Sequence, residues 1–317
     1  MKKVLITRKL IKSSEDYASQ IFNTKLNKED RLLTKEQIIE ESKGCDGILS
    51  SITEKFDNDT ILQLPKTIKI ISNFAVGFGN IDIIAAKNKN IAVTNTPNVL
   101  TDATAEINIL LFLAAARRVR EGIKFANDKN WKWSADFLMG KQLTGSRLGI
   151  LGMGRIGRAV ADIARSLGMK IHYYNRSRLN KDLEKDAVYH NSLESLLKVS
   201  EFFSINCPAT KETKHIINKN TIKHLPDGAI IANSARGDMI EDNAMVEALK
   251  SGKIYSLGLD VYNDEPNIHP EYLTLQNVFV LPHLGSATKK TRTAMGNLAI
   301  SNIDEFFKTG NCKNKVN

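Results

Sequence analysis

The sequence predicts an α/β protein with two doubly wound parallel-sheet domains. Three observations support this class. Short apolar runs alternate with helix-length polar segments, as in chains of βα units. The alternation stops once, between about residues 97 and 146, and then resumes. The chain has 317 residues, which is longer than one ordinary domain. Its hydrophobic residues, 42% of the total, are enough to fill two cores.

Four apolar runs predict the strands of the first sheet. They are VLIT at 4–7, GILS at 47–50, IKIISN at 68–73 and IAVTN at 91–95. A polar segment long enough for a helix follows each of the first three runs. Successive strands are therefore expected to be parallel.

A long helix is predicted over residues 101–120, after a break at Pro97. This segment carries acidic residues early, apolar residues at helical spacing and three arginines late, which suits the helix dipole. Residues 121–146 follow as a polar loop with Trp131 and Trp133. We interpret 101–120 as a connector between domains and 121–146 as a packed arm or an interface element.

Six apolar runs after residue 146 predict a second doubly wound sheet, and a final helix is predicted from about 288 to 308. Helix-length segments separate most of the runs. The runs are LGIL at 148–151, KIHYY at 170–174, EFFSIN at 201–206, GAIIAN at 228–233, IYSLGLDV at 254–261 and NVFVL at 277–281.

Composition restricts the class of protein. The apolar run from Val4 to Ile6 is too short for a signal peptide, and no stretch approaches the roughly 20 apolar residues of a membrane helix. Three cysteines without a CxxC spacing argue against a disulfide framework and a zinc site. The net charge of +10 comes from scattered lysines, which argues against a nucleic-acid partner and suits anionic metabolites. We expect a cytoplasmic protein without a metal.

A glycine-rich turn predicts dinucleotide binding. The pattern GxGxxG follows the run LGIL and opens an amphipathic helix. Gly152 permits the tight turn, Gly154 lets the pyrophosphate approach the backbone, and Gly157 lets helix and strand pack closely. A plain βα turn is the alternative interpretation. The residues expected to contact the cofactor are Gly152, Met153, Gly154, Arg155, Ile156 and Gly157.

The end of the next strand favours NADP over NAD. An acidic residue there would bind the ribose 2′-hydroxyl of NAD, but the chain has Asn175, Arg176, Ser177 and Arg178. Two guanidiniums can bind a 2′-phosphate. Alternatively, both arginines are solvated and NAD is held weakly. We expect NADPH to be preferred, with NADH as the alternative.

Three polar side chains follow three of the later strands. Arg236 comes after IIANSA, Glu265 after LDVYND and His283 after FVLP. Because parallel strands end at a shared edge, and ligands bind at that edge, the three are expected to lie close together. Taken singly, each could be a structural or surface residue.

Together these side chains suit carbonyl reduction. Hydride transfer to a ketone builds negative charge on oxygen, which requires a proton donor and a fixed cation. His283 can donate the proton, and Glu265 can orient its ring and favour its charged form. Arg236 can bind a carboxylate and polarise the adjacent carbonyl.

Several motifs in order resemble the D-isomer-specific 2-hydroxyacid dehydrogenase family, especially its glyoxylate/hydroxypyruvate reductase branch. The resemblance covers nearly the whole chain. It implies an NAD(P)H-dependent reductase of small 2-oxo acids, glyoxylate and hydroxypyruvate above all. The motifs are ISNFAVGFGNID at 71–82, TPNVLTDATAE at 96–106, LGILGMGRIG at 148–157, NSARGD at 233–238, LDVYNDEP at 259–266 and LPHLGSAT at 281–288.

The resemblance also implies an organisation. It implies a discontinuous substrate domain of residues 1–100 and 286–317, a Rossmann domain of residues 101–285 and a cleft between them. A homodimer through the coenzyme domain is implied, and 101–146 is the interface candidate.

The family comparison implies the same catalytic set of Arg236, Glu265 and His283. It implies that backbone amides near Val76 and Gly77 hold the substrate carboxylate, although sequence alone shows only a glycine turn there. Further cofactor contacts are expected at Cys207, Pro208, Thr213, Ser234, Ala235, Asp260 and Gly285.

Two alternatives to this function stay open. Gly79 stands where relatives often have Asp, which weakens the substrate assignment. The substrate could be a larger 2-oxo acid, such as 2-ketogluconate or 3-phosphohydroxypyruvate. A dinucleotide-sensing binding protein without turnover is the second alternative, because corepressors that resemble this family keep its fold.

Overall fold

A computed structural model describes residues 1–129 and 131–317. Asn130, inside the predicted interface segment 101–146, lies outside the described residues. The chain forms two compact units, one of Met1–Leu100 with Ala287–Asn317 and one of Thr101–Ser286. Each unit has its own parallel sheet, which confirms the predicted fold class. The cleft expected between the two domains stays a prediction.

The first unit contains a five-stranded sheet in the order β2-β1-β3-β4-β5 with all strands parallel. Its strands are β1 (Lys3–Ile6), β2 (Asn23–Leu26), β3 (Gly47–Ser50), β4 (Ile70–Asn73) and β5 (Ala92–Thr94). Its helices are α1 (Lys12–Ile21), α2 (Lys35–Glu41), α3 (Asn58–Gln63), α4 (Ile83–Asn88) and the C-terminal α13 (Lys289–Thr309).

Both faces of this sheet are covered. Strands β3 and β4 are buried along their whole length, as expected where helices pack on both sides of a parallel sheet. One face packs against α13, and the hydroxyl of Ser72 donates to the Ala299 carbonyl at 2.9 Å. Thr288 caps the start of α13 and Gly310, at φ +77°, ends it, close to the predicted bounds.

The second unit contains a seven-stranded parallel sheet in the order β12-β11-β10-β9-β6-β7-β8. Its strands are β6 (Arg147–Leu151), β7 (Lys170–Tyr174), β8 (Val188–His190), β9 (Phe202–Ile205), β10 (Ala229–Asn233), β11 (Ile254–Leu259) and β12 (Val278–Val280). Its helices are α5 (Thr101–Ala116), α6 (Val119–Asp128), α7 (Arg155–Ser166), α8 (Lys181–Glu184), α9 (Leu193–Leu197), α10 (Lys219–Ile222), α11 (Asp242–Lys250) and α12 (Pro270–Thr274), with a 3₁₀ turn at Gly237–Met239.

Two details of the prediction were wrong. The sequence predicted four and six strands, but the sheets have five and seven, because the edge strands β2 and β8 were missed. The single helix predicted over 101–120 is two helices, and the second, α6, continues to Asp128 through residues that were predicted as a polar loop. Arg118 adopts φ +54°, which interrupts α5 before α6 begins.

The strand order of the second unit places a topological switch point between β6 and β9. From β6 the chain continues to β7 and β8 on one side. It then returns to β9 on the other side of β6 and continues outward to β12. Ligands of doubly wound sheets bind outside the carboxyl ends of the strands at this point. Among the described residues, no helix has both the length and the apolar character needed to cross a membrane.

Candidate active site

Three neighbouring strands deliver the three predicted catalytic side chains to one sheet edge. Arg236 follows β10, Glu265 lies in the loop after β11, and His283 follows β12. These strands are adjacent and parallel, so their carboxyl ends point the same way. The structure therefore brings the loops of all three residues to the same edge, as predicted.

His283 and Glu265 form a direct pair. The His283 Nδ1 atom lies 2.6 Å from Glu265 Oε2, and the other carboxylate oxygen accepts the Tyr262 amide at 3.0 Å. The two side chains are 28% and 31% exposed, so solvent and substrate can still reach them. Burial raises the pKa of Glu265, but the hydrogen bond and charge of His283, the Tyr262 amide and the charge of Arg236 together hold it below its usual value. Glu265 is therefore an anion at neutral pH.

Arg236 is a desolvated cation beside this pair. Burial lowers the pKa of its guanidinium, and the charges of Glu265 and Asp238 oppose that shift. Its Nη1 donates to the Ala235 carbonyl at 2.6 Å. A guanidinium stays protonated at neutral pH, and its remaining donors can bind a carboxylate.

Asp260, for which a cofactor contact was predicted, fastens the loop that carries His283. Its two carboxylate oxygens accept the amides of Leu284 at 2.6 Å and Gly285 at 2.8 Å. Burial raises the pKa of Asp260, and these amides with the charge of His283 counteract the shift. The Gly285 carbonyl accepts the Thr104 hydroxyl at 3.0 Å, which ties the same loop to α5.

The glycine-rich turn has the geometry that the pattern requires. Gly152 adopts φ +94°, and a Cβ there would lie 2.5 Å from the Cys207 nitrogen. A Cβ at Gly157 would lie 2.2 Å from the Gly152 carbonyl oxygen, so helix and strand need glycine to pack this closely. At Gly154 the corresponding space is open to 4 Å.

The N-terminus of α7 also suits a pyrophosphate. No side chain caps this helix, and its first backbone bond runs from the Arg158 amide to the Gly154 carbonyl. The amides of Arg155, Ile156 and Gly157 therefore have no helical acceptor. An anion at this end is favoured by the free amides and by the helix dipole. The turn residues fit a dinucleotide.

The ribose-site residues fall into two groups. Asn175 turns its side chain inward, where Oδ1 accepts the Met153 amide at 2.7 Å. Arg178 is paired with the buried Glu184, at 3.1 Å from Nε to Oε2, and lies over the Tyr189 ring. Arg176 and Ser177 are exposed, and Arg176 makes no ion pair within the described part of this unit. Arg176 is the freer of the two predicted phosphate ligands.

A buried polar network continues from this site, and sequence reasoning missed most of it. The side-chain amide of Asn108 donates from Nδ2 to Ser234 Oγ at 2.9 Å, and its Oδ1 accepts from Ser204 Oγ at 2.8 Å. Asn206 donates to the same Ser204 oxygen at 2.6 Å, and its own Oδ1 is buried without a partner. Only Ser234 was predicted. The available signal was Asn108 beside the apolar run at 109–116, and Ser204 and Asn206 within the run at 201–206.

The remaining expected cofactor contacts line the loops after β9 and β10. The Cys207 sulfur lies 3.5 Å from Met239, and burial raises the pKa of its thiol to about 11. The Thr213 hydroxyl donates to the Pro208 carbonyl at 2.8 Å on an exposed loop. The Ala235 amide donates to Asn233 Oδ1 at 3.0 Å.

In the first unit, the turn after β4 leaves two amides available. Asn73 and Asn95 fix this turn by donating to the carbonyls of Gly77, at 3.0 Å, and Val76, at 2.8 Å. Within this unit, the amides of Val76 and Gly77 donate to no acceptor. Two free neighbouring amides can bind a carboxylate.

Comparison with known proteins identifies the family. The NAD binding domain of the D-isomer specific 2-hydroxyacid dehydrogenases matches residues 109–285, more than half of the chain. The chain belongs to this family. It is a 2-hydroxyacid dehydrogenase with a nicotinamide dinucleotide cofactor, and its similarity extends to the glyoxylate reductase branch.

Individual relatives of this dehydrogenase match along nearly their whole length. A glycerate dehydrogenase from Hyphomicrobium methylovorum is 40% identical over 96% of both chains. A glyoxylate reductase from Thermococcus litoralis is 39% identical over 99% of this chain and 96% of its own. An NADPH-dependent glyoxylate/hydroxypyruvate reductase from Sinorhizobium meliloti, solved with NADP and malonate, has a TM-score of 0.89 at 28% identity, covering 99% of this chain and 96% of that one.

Proposed function

We propose that this dehydrogenase is a cytoplasmic reductase of glyoxylate and hydroxypyruvate that prefers NADPH and forms the D-2-hydroxy acid. The observation that carries the proposal is the 2.6 Å contact between His283 and the anionic Glu265, beside the half-buried cation of Arg236. The names of the relatives support small substrates. Three unpaired cysteines suit a reducing compartment.

His283 acts as the general acid in reduction. When reduced nicotinamide is bound at the switch point, it supplies a hydride to the carbonyl carbon. The carbonyl oxygen gains negative charge and takes the proton of His283 Nε2. Glu265 accepts from Nδ1, which fixes the ring orientation and leaves the other nitrogen to face the substrate. In the oxidative direction the same ring accepts the proton.

Each unit has its own candidate for binding the substrate carboxylate, Arg236 in the second unit and the turn after β4 in the first. Arg236 binds the carboxylate and polarises the neighbouring carbonyl, because its donors are desolvated and its charge is fixed. The free amides of Val76 and Gly77 bind a carboxylate oxygen. A substrate held by its carboxylate keeps its carbonyl in one orientation, which contributes to rate without any covalent step.

NADPH preference rests on the residues after β7. The chain has no acid there to bind a 2′-hydroxyl, and Arg176 is exposed without an ion-pair partner in its unit. A guanidinium can bind a 2′-phosphate in bidentate fashion. The neighbouring Ser177 hydroxyl is also exposed and can donate to the phosphate.

A homodimer through 101–146 is supported by exposed apolar side chains. Half of the exposed large hydrophobic residues in the described chain lie in this segment. We refer to these residues as the apolar arm. Its members are Leu110, Leu113, Ile123, Phe125, Trp131, Trp133 and Met139. This concentration of exposed apolar side chains in one segment favours an interaction site there.

The deciding experiment is a substrate and cofactor panel. Loss of reduced-cofactor absorbance is followed with glyoxylate and hydroxypyruvate, each with NADPH and NADH at matched concentrations. We expect rapid turnover that favours NADPH. Faster turnover with NADH would contradict the cofactor assignment alone. Turnover restricted to 2-ketogluconate or 3-phosphohydroxypyruvate would contradict the substrate assignment, and no turnover of any 2-oxo acid would contradict the catalytic role.

A further inference from the structure

One buried residue of the Glu265 loop contacts both of the other loops that carry candidate catalytic residues. Tyr262 lies in the loop after β11, is 9% exposed and packs in the core of the second unit. Neither the hydride chemistry nor cofactor binding requires a tyrosine there. Its contacts indicate a role in positioning the catalytic loops.

The backbone of Tyr262 contacts Glu265 within its own loop and Gly237 in the loop of Arg236. Its amide donates to Glu265 Oε1 at 3.0 Å, on the oxygen opposite to the one that binds His283. Its carbonyl carbon packs against Gly237, where an added Cβ would lie only 1.9 Å away. Gly237 directly follows Arg236, so the distance between these loops is set by the absence of a side chain at 237.

The hydroxyl of Tyr262 meets the third loop. It donates to the Leu281 carbonyl at 2.6 Å, two residues before His283. Pro282 follows, and its ring fixes the backbone between this anchor and His283. Burial raises the pKa of the Tyr262 hydroxyl, so it remains a donor throughout the neutral range.

We propose that Tyr262 is a positioning residue that holds the loops of Arg236, Glu265 and His283 at a fixed mutual distance. This inference rests on the proposed function, because it concerns the same site. The hydroxyl sets the height of the His283 loop above the sheet edge. The amide sets the Glu265 carboxylate against the ring at that height. Loss of the hydroxyl therefore weakens the contact between His283 and Glu265.

Tyr272 offers a matched control. It is buried in the same core, at 2% exposed, and its hydroxyl donates to Asp242 at 3.0 Å. Its hydroxyl makes no direct hydrogen bond to the described residues of the three loops, and its one link to the Glu265 loop runs through Asp242, which also accepts from Asn263 at 2.6 Å. Tyr262→Phe and Tyr272→Phe each remove one buried hydroxyl, so a purely structural role predicts similar effects for both.

The test compares kcat and KM of the two variants. We expect Tyr262→Phe to lower kcat roughly tenfold while KM for NADPH stays within about twofold. Tyr272→Phe should retain the wild-type kcat. Equal kcat values in the two variants would overturn the proposal.

A second readout does not depend on turnover. The Nδ1 proton of His283, bonded to Glu265, should give a downfield NMR resonance that is identified by its loss in His283→Ala. Tyr262→Phe should move or broaden this resonance, and Tyr272→Phe should not. If the wild type reduces no 2-oxo acid, the proposed function fails, and this resonance still decides whether Tyr262 positions His283. An unchanged resonance in Tyr262→Phe would overturn the inference.

Discussion

His283 occupies a backbone conformation that few residues adopt. Its φ of +56° lies in the left-handed region, which costs of order 1–3 kcal/mol for a residue with a side chain. The Asp260 carboxylate binds the next two amides, and Glu265 binds the ring. The surroundings therefore impose both the backbone and the side-chain orientation. A strained residue held this firmly is typical of a functional site.

The charge of Glu265 should be required for rapid reduction. Its pKa lies below the usual value, so it is ionised at neutral pH and accepts the hydrogen bond of the His283 ring. Glu265→Gln keeps the shape but removes the charge. We expect kcat to fall roughly a hundredfold, measured for both proteins between pH 5 and about 9, a range in which the lowered pKa keeps Glu265 ionised. A variant with the wild-type kcat would contradict the assignment.

The two arginines after β7 should differ in their effect on cofactor choice. Arg178 is engaged with Glu184, whereas Arg176 has no ion-pair partner in its unit. Arg176→Ala should raise KM for NADPH roughly tenfold and leave KM for NADH nearly unchanged, because only NADPH has the 2′-phosphate. Arg178→Ala serves as the matched comparison and should have the smaller effect on NADPH. Steady-state kinetics with both cofactors test this, and equal effects on NADPH and NADH would contradict it.

At the scale of elements, the sequence predicted the strands whose side chains are buried on both faces. The runs at 47–50 and 202–205 are apolar because helices cover both sides of β3 and β9. The missed strands, NTKL and VYH, are short and partly exposed at sheet edges, so no apolar run marks them. The break at Arg118 carries no Gly or Pro, so local sequence gives no sign of it.

The packing of α5 on the second sheet should depend on one glycine. A Cβ at Gly258 in β11 would lie 2.8 Å from the Leu111 Cβ and 2.9 Å from its carbonyl oxygen. Gly258→Ala should therefore lower the free energy of unfolding by about 1–3 kcal/mol. Gly122→Ala, in α6, meets no atom within 4 Å and should be neutral or stabilising. Denaturant unfolding measures both, and equal stability of the two variants would show that α5 can shift without cost.

At the scale of the whole molecule, the site was predictable where it follows from topology. Parallel strands end at one edge, so three residues far apart in sequence could be placed together from the strand pattern alone. Which side chains pair with each other was harder to predict from the sequence. That Arg178 binds Glu184, and that Asp260 binds the His283 loop, depends on loop conformations that no periodic pattern specifies.

The apolar arm should control assembly. Ile123 is 53% exposed and Trp133 is 80% exposed, which is costly for a monomer in water. The double variant Ile123→Asp with Trp133→Asp should have the mass of a monomer, 35.3 kDa, whereas the wild type should have twice that mass. Size-exclusion chromatography with light scattering measures this. Ile84→Asp, at an exposed position of α4, is the control and should stay dimeric.

The thiols of the chain have a practical consequence. Cys45 and Cys312 are buried, and the half-buried Cys207 has a pKa raised to about 11, so little thiolate forms near pH 7. Maleimide dyes should therefore react slowly with the natural sequence. A cysteine introduced at one exposed position can then carry a single fluorophore without replacing any native cysteine.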